Sequence, residues 1–404
     1  MVRAYAPMWI LGLGFLWWPV VLLRGLGRYG QRKPPSPLPT LVVICLVLSL
    51  LVAAVAGAPA ERLAGAAYNL AVWVALAALT SVRLDPAAIG RGIAQLAGVQ
   101  SIAVLVALVL HPALRDVPLP ASHVLPAALL GNPALESFTT ARLTFPDWFG
   151  ETVLRTGGFF GNATWAGGLS ALGVLVTLPL VARAHGMARV GWVVVLTTDA
   201  ATLYLSYSRN TWLALAAALG AMGVVFLRRR RHWSALTLGA LVGVGAAIAA
   251  ALTVDLAATM ATFNSVREGS YGSRAAIYTA TWQAVQEGAF PLLGSGVKER
   301  APGLAASLGT HSGYLGLLYR GGWAAVVLFV VWLLALCHRA WCAASPVALG
   351  ATVFAALWFV AEDVDVGHLV PLALVLGIAL VDDQRAAEGA RSPVEVPTST
   401  ATWR

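Results

Sequence analysis

The sequence predicts an all-α polytopic membrane protein with about 11–12 transmembrane helices and large extracytoplasmic loops. Hydrophobic residues make up 59% of the 404 residues and charged residues only 11%. The mean hydropathy is +0.77, which implies more apolar surface than one water-soluble core can bury. The apolar runs are about 17–25 residues long, a length that suits a helix crossing a hydrocarbon layer of roughly 30 Å.

Eleven apolar runs are predicted to span the membrane. The first, at about 8–23, is followed by arginines rather than by a small-residue cleavage site, so we expect it to be retained with its N-terminus outside. The others lie at about 39–58, 63–82, 93–111, 159–182, 190–208, 210–227 and 234–254, in a long helix that descends to Cys337, and at 346–361 and 369–381.

The cations indicate the orientation of these spans. The formal net charge of +9 would suggest a nucleic-acid partner for a soluble protein, but here most cations fall in alternate loops, as in the inner loops of membrane proteins. No nucleic-acid partner is expected. The predicted regions are the N-terminal helices (1–110), a first extracytoplasmic loop (111–158), central helices (159–254), a second extracytoplasmic loop (255–311), C-terminal helices (312–383) and a cytoplasmic tail (384–404).

Several cations are predicted at the outer side, against this trend, and so need a reason. Arg209 lies in the tight turn YSRNTW, where the free N–H groups of the next helix add positive charge and favour a phosphate cradle. An arginine that contacts lipid headgroups fits the same position. Arg274 opens an amphipathic segment that is expected to lie over the bundle.

His311 stands at the entry to a long helix, close to further outer cations. A helix N-terminus favours the neutral, base-competent form of histidine, although a lone histidine fits a structural role as well. Lys298 and Arg300 follow a turn that contains Gly294 and Gly296, a pattern typical of a solvated charge run.

Asp199 is the one strongly polar residue predicted in the middle of a span. Together with Thr202, Ser206 and Arg209 it forms a polar stripe, about 15 Å long at 1.5 Å per residue. A carboxylate at this depth should face the interior of the bundle. It is expected to pair with a cation such as Arg209 or Arg320, or to set the charge of the site.

Three segments together resemble the O-antigen ligase and polymerase family of bacterial envelope glycosyltransferases. They are SRNTWLAL at 208–215, SRAAIYTATWQAVQEGAFPLLGSG at 273–296 and HSGYLGLLYRGG at 311–322. A fourth segment, RTGGFFGNATWAGG at 155–168, is similar to the family's Gly-Phe-x-Asn-Pro-Asn entry to a span, but has Ala163 and Thr164 where Pro-Asn is usual.

The resemblance implies a GT-C-like bundle in the bacterial inner membrane with its active site on the periplasmic face. The implied reaction moves a glycan from undecaprenyl diphosphate to an acceptor hydroxyl, such as one on lipid A-core. His311 would be the base, and Arg209 and Arg274 would bind the diphosphate. Supporting roles are open to Asp199, Arg320, Lys298, Arg300 and, at the start of the fourth segment, Arg155.

Neither a metal nor a cofactor is expected, because the outer loops show no acidic pair near the cations; Asp363 and Asp365 lie far along the chain. The sequence favours a ligase slightly over a polymerase of the same family. A transporter or flippase of lipid-linked sugars is the alternative from another class, but the sequence shows no related halves. A structural scaffold would leave the outer cations unexplained.

Overall fold

The computed structural model describes residues 2–27, 34–110, 116–126, 130, 138–142, 156–158, 162–229, 268–288, 291–300, 303, 306–363 and 371–391. The α-helices there are α1 (Tyr5–Ile10), α2 (Trp17–Gly27), α3 (Pro37–Val55), α4 (Ala60–Leu79), α5 (Pro86–Leu110), α6 (Ala163–Arg183), α7 (Gly186–Leu205), α8 (Arg209–Arg229), α9 (Glu268–Glu287), α10 (Gly313–Cys342), α11 (Pro346–Trp358) and α12 (Pro371–Arg391). Short 3₁₀ turns occupy Val2–Ala4, Gly14–Leu16 and Pro120–His123. Strands β1 (Asp116–Pro118) and β2 (Thr140–Arg142) form an antiparallel pair between α5 and α6.

The predicted all-α polytopic fold is confirmed. In the described ranges, six helices are long and apolar enough to cross a membrane, namely α3, α4, α5, α6, α8 and α10 up to Cys342. Shorter apolar helices cover Gly14–Arg24, Pro346–Trp358 and Pro371–Val381. Helix α7 corresponds to the predicted span at 190–208 but is not among the six, and the predicted span at 234–254 lies outside the described residues.

The prediction of one continuous span at 8–23 is wrong. Helix α1 ends at Ile10, and Gly12 then turns the chain with a φ of +80°. A Cβ at Gly12 would lie 2.8 Å from the Cβ of Ala121, whose backbone N–H donates to the carbonyl of Leu11 at 2.9 Å. Only glycine tolerates both the backbone angle and the close approach. The apolar run is therefore split where the segment around Ala121 packs on it.

The core is built by three groups of packed helices. Helices α5, α6 and α7 pack against one another, as do α3, α4 and α10, and α8 packs on α11, which also contacts α10 and α12. Large side chains fill the contacts within and between these groups; for example, the rings of Trp73 in α4 and Phe329 in α10 meet edge to face with centroids 5.1 Å apart, and Phe329 also lies 5.8 Å from the ring of Phe359, the residue after α11. Burying aromatic rings of this size provides much of the packing energy of such a core.

Helix α10 is broken near its start, and the turn at 291–297 fits into the break. Gly322 has a φ of 69° and a ψ of −174° inside the helix. The N–H of Ser295 donates to the carbonyl of Tyr319 at 2.8 Å, and the N–H of Trp323 donates to the carbonyl of Pro291 at 3.0 Å. A Cβ at Gly294 would lie 2.6 Å from the nitrogen of Gly322, so the two chains touch through glycine backbone. The break thus holds the turn at 291–297 against α10.

Candidate active site at the start of helix α10

His311 lies two residues before α10, at the end of the bundle that we call the outer end. Ser312 is the N-cap of α10, and its side chain accepts from the N–H of Leu315 at 3.3 Å. His311 has a φ of 64°, in the left-handed region that side chains other than glycine rarely adopt. Its carbonyl accepts a hydrogen bond from the hydroxyl of Tyr278 at 2.6 Å. The sequence thus places the imidazole at a helix entry, as predicted, on a backbone that its neighbours hold in place.

The imidazole of His311 is unprotonated at neutral pH. Burial, together with the positive charges of Arg274 and Lys298, lowers its pKa from 6.5 to about 4. The sequence attributed the neutral form to the helix N-terminus, whereas the structure attributes it to burial and two cations. An unprotonated imidazole beside two cations has the charge state that a general base needs.

Each of these two cations faces a carboxylate. Arg274 Nη2 lies 3.9 Å from Glu362 Oε1, with side-chain exposures of 31% and 4%. Lys298 Nζ lies 3.0 Å from Asp363 Oδ2, with exposures of 12% and 10%. Burial raises the pKa of Glu362, while Arg274 opposes that rise. We call Arg274, Lys298, His311, Glu362 and Asp363 the outer cluster.

The prediction that Lys298 belongs to a solvated charge run is wrong. The lysine is drawn inward by Asp363, and Gly316 of α10 leaves room for the pair. A Cβ at Gly316 would lie 2.9 Å from Asp363 Oδ1 and 3.2 Å from Lys298 Nζ. Arg300, two residues on, is exposed as predicted, and its backbone bridges to Ser307.

Sequence reasoning did not consider Glu362 and set Asp363 aside because it lies far along the chain from the cations, whereas the structure brings Asp363 to within 3.0 Å of Lys298. They come shortly after α11, which follows α10 and returns the chain to the outer end. The N–H of Gly313 donates to the carbonyls of Phe359 at 2.8 Å and Glu362 at 2.9 Å. The alternation of spans could have identified them. Because α10 and α11 run in opposite directions, the segment after α11 must emerge at the same end of the bundle as His311.

The start of α6 joins Arg209 to this end of the bundle. Asn162 caps α6, accepting from the N–H of Thr164 at 2.9 Å, so the segment that departs from the usual Pro-Asn still begins a helix. The side chain of Thr164 also hydrogen-bonds Glu362. On the other side, a Cβ at Gly167 would lie 3.1 Å from the Cβ of Ser208, the residue before Arg209. Arg209 begins α8 and is half-buried.

Of the two remaining candidates, the structure describes only Arg320. Arg320 is 2% exposed, and its Nε donates to the carbonyl of Gly316 at 3.4 Å. It therefore lies one turn of α10 beyond the position that accommodates Lys298 and Asp363. Arg155 lies outside the described residues.

The prediction that Asp199 pairs with a cation is wrong for the described part of the chain. Asp199 is fully buried between α5, α6 and α7 and accepts a hydrogen bond from the hydroxyl of Ser101 at 2.7 Å. That hydroxyl also lies 3.2 Å from the hydroxyl of Ser170. A Cβ at Gly173 would lie 2.9 Å from Cγ of Asp199, so glycine makes room for the carboxyl group. We call Ser101, Ser170 and Asp199 the buried polar cluster.

One comparison with known proteins matches the part of the chain that contains most of these residues. Residues 192–330 match the family model described as O-antigen ligase. The matched range contains Arg209, Arg274, Lys298, His311 and Arg320. No curated protein matches the chain. Among the residues that the structure describes, no group of three His, Cys, Asp or Glu side chains could hold a metal ion. The match and the helical membrane fold confirm the predicted resemblance to the O-antigen ligase/polymerase family and support a membrane enzyme of that type.

Proposed function

We propose that the protein transfers a glycan from undecaprenyl diphosphate to an acceptor hydroxyl at the periplasmic face of the bacterial inner membrane. We assign it as an O-antigen ligase with lipid A-core as the acceptor. The observation that carries the proposal is the half-buried, unprotonated imidazole of His311, whose pKa is lowered by burial and by the nearby Arg274 and Lys298. A neutral base next to fixed cations is the arrangement that such a transfer needs.

The cations would bind and stabilise the diphosphate. Arg274 is partly exposed and contacts Glu362 only at 3.9 Å, so its guanidinium can turn to a stronger anion. A planar guanidinium binds phosphate oxygens through two parallel hydrogen bonds. Arg209, which begins α8 next to the start of α6, would supply a second guanidinium. Because charge develops on the leaving diphosphate, cations fixed in place before the reaction would stabilise the transition state.

The chemical step is a direct displacement at the anomeric carbon. The acceptor oxygen forms the new bond to that carbon while the bond to the diphosphate oxygen breaks, and the diphosphate keeps the electron pair. His311 takes the proton of the acceptor hydroxyl, a contribution of typically 10²–10⁴-fold in rate. A single displacement inverts the anomeric centre. The arginines supply the positive charge that a metal would otherwise bring, so we expect transfer without added divalent ions.

Two other activities remain to be separated from the proposed one. A polymerase would use the same donor and another lipid-linked glycan as acceptor. A transporter would bind the diphosphate through the same cations without breaking a bond. Transporters typically place polar binding groups near the middle of the membrane between related halves, whereas the outer cluster lies at helix ends, which suits a one-sided enzyme better.

The experiment is transfer by the purified protein in detergent, with an undecaprenyl-diphosphate glycan and with lipid A-core or a second lipid-linked glycan as acceptor. Product and released lipid diphosphate are both measured. His311→Ala is compared with wild type, and His338→Ala is the matched control because His338 is exposed near the other end of α10.

We expect His311→Ala to lose transfer while it still binds donor, and His338→Ala to behave as wild type. Product with lipid A-core alone would support the ligase, and product with the second lipid-linked glycan would identify a polymerase. Full activity in His311→Ala would remove His311 from the chemistry. Donor binding without transfer to any acceptor by the wild type would favour a transporter.

A further inference from the structure

We propose that Tyr278 and Thr281 of α9 are positioning residues, which hold the loop that carries His311 in a fixed position relative to Arg274. This inference rests on the proposed function, because it explains how the base, His311, is held next to the cation that would bind the diphosphate, Arg274. Neither residue would touch the reacting atoms. Each would act through the backbone next to His311.

One face of α9 carries all three groups. Arg274, Tyr278 and Thr281 are spaced at i, i+4 and i+7, which places them one above another along the helix. Arg274 meets Glu362 at the first of these positions. The hydroxyl of Tyr278 donates to the carbonyl of His311 at 2.6 Å. The hydroxyl of Thr281, which is fully buried, accepts from the N–H of Gly309 at 2.8 Å. Two hydrogen bonds therefore tie the same helix to both sides of residue 310.

The backbone of His311 needs such support. A φ of 64° puts a residue other than glycine in the left-handed region, which is sterically unfavourable for it. Conformations of this kind persist only where their surroundings hold them. Gly309, with a φ of 73°, passes so close to α10 that a Cβ there would lie 2.9 Å from Cα of Gly316. The loop is thus pressed against α10 from one side and bonded to α9 from the other.

The two attachments of this loop have different consequences. On the side of α10 and α11, the N–H of Gly313 bonds to the carbonyls of Phe359 and Glu362, which fixes where the helix starts. On the side of α9, the bond from Tyr278 is made to His311 itself. A change at this bond would therefore turn the imidazole relative to Arg274 while α10 stays in place. Misplacement by about 1 Å can cost about 10²-fold in rate.

The test uses Tyr278→Phe, which removes one oxygen and keeps the ring. Its matched control is Tyr68→Phe, because the hydroxyl of Tyr68 also donates to a backbone carbonyl, that of Phe15, at 2.7 Å in another part of the bundle. Thr281→Val is a second variant that keeps the shape of the side chain and removes the acceptor for Gly309. Thermal unfolding of all variants in detergent shows whether a change is one of overall stability.

Two readouts distinguish positioning from a structural role. The first is transfer kinetics, in which we expect Tyr278→Phe to lower kcat by about 10–10²-fold with an unchanged KM for donor. The second needs no activity and is the rate at which diethyl pyrocarbonate modifies His311, measured by mass spectrometry of its peptide. We expect that rate to rise severalfold in Tyr278→Phe and Thr281→Val, and to stay at the wild-type value in Tyr68→Phe.

Wild-type kcat together with a wild-type modification rate in Tyr278→Phe would overturn the inference. An equal loss of kcat in Tyr68→Phe would also overturn it, since that would reflect stability alone. If the wild type shows no transfer at all, the proposed function fails, and the modification rate of His311 still decides whether Tyr278 positions it.

Discussion

The outer cluster and the buried polar cluster each contain an aspartate, but in two different settings. In the outer cluster, Lys298 pairs with Asp363, Arg274 faces Glu362, and His311 lies half-buried beside them at helix ends. In the buried polar cluster, Asp199 is fully buried between three helices, and its bond comes from the hydroxyl of Ser101. Only the outer cluster combines charge of both signs with partial exposure.

The difference shows that an acidic residue in a membrane span is not by itself evidence of a reaction site. Small residues let α5, α6 and α7 come close, and hydroxyl groups then satisfy one oxygen of Asp199, as is common between packed membrane helices. In the outer cluster, cations remain close enough to the surface to meet a ligand. We therefore expect transfer to depend on the side chains of the outer cluster and not on those of the buried polar cluster.

The largest effect is expected for Arg274→Gln. Removing a cation from the developing diphosphate should lower kcat/KM by about 10²–10³-fold. Arg274→Lys should recover only part of it, because an ammonium cannot form the paired hydrogen bonds of a guanidinium. Release of lipid diphosphate measures both. Arg300→Gln is the control, since Arg300 is exposed in the same loop, and an equal loss there would mean that only general charge matters.

The next effect concerns the pair of Lys298 and Asp363. Because both side chains are about nine-tenths buried, Asp363→Asn replaces the negative charge opposite the lysine with a neutral amide and should destabilise the fold by about 3–5 kcal/mol. Unfolding by denaturant in detergent measures this. The double change Lys298→Met with Asp363→Leu should recover most of the loss, and Glu287→Gln, at an exposed position of α9, should stay near zero. A neutral result for Asp363→Asn would show that the pair is solvated.

The sequence predicted most of the fold, and it predicted the histidine and the cations of the outer cluster but not its two carboxylates. Runs of apolar residues identify spans because the hydrocarbon layer sets their length, and His311 and Arg274 were found because polar residues at span ends are few. The split at Gly12 was missed because the reason for it, the contact with Ala121, comes from another part of the chain. The pairing of Lys298 with Asp363 was missed for the same reason, since charge pairs between loops depend on how the loops fold.

The smallest effect is expected for Asp199→Asn. An amide oxygen can still accept the bond from Ser101, so transfer should remain at the wild-type rate and stability should change by less than about 1 kcal/mol. Asp199→Leu removes the acceptor and leaves a buried hydroxyl with one partner fewer, which should cost about 1–3 kcal/mol. Transfer rates and thermal unfolding check both variants. Loss of transfer by a well-folded Asp199→Asn protein would break the comparison, because the buried polar cluster would then take part in the reaction.

The most direct test of the account is the pH dependence of transfer by the wild type. Because the pKa of His311 is lowered to about 4, the base is unprotonated at pH 5.5, and kcat/KM should stay near its maximum there and fall only as the pH drops through about 4. The same shift means that the unfolded chain binds more protons than the folded chain between pH 6.5 and 4. The free energy of unfolding should therefore decrease as the pH drops from 6.5 to 4. An acid limb near pH 4 that disappears in His311→Ala, leaving a low and pH-independent rate, is the predicted result. An acid limb that persists unchanged in His311→Ala would contradict the assignment of His311 as the base.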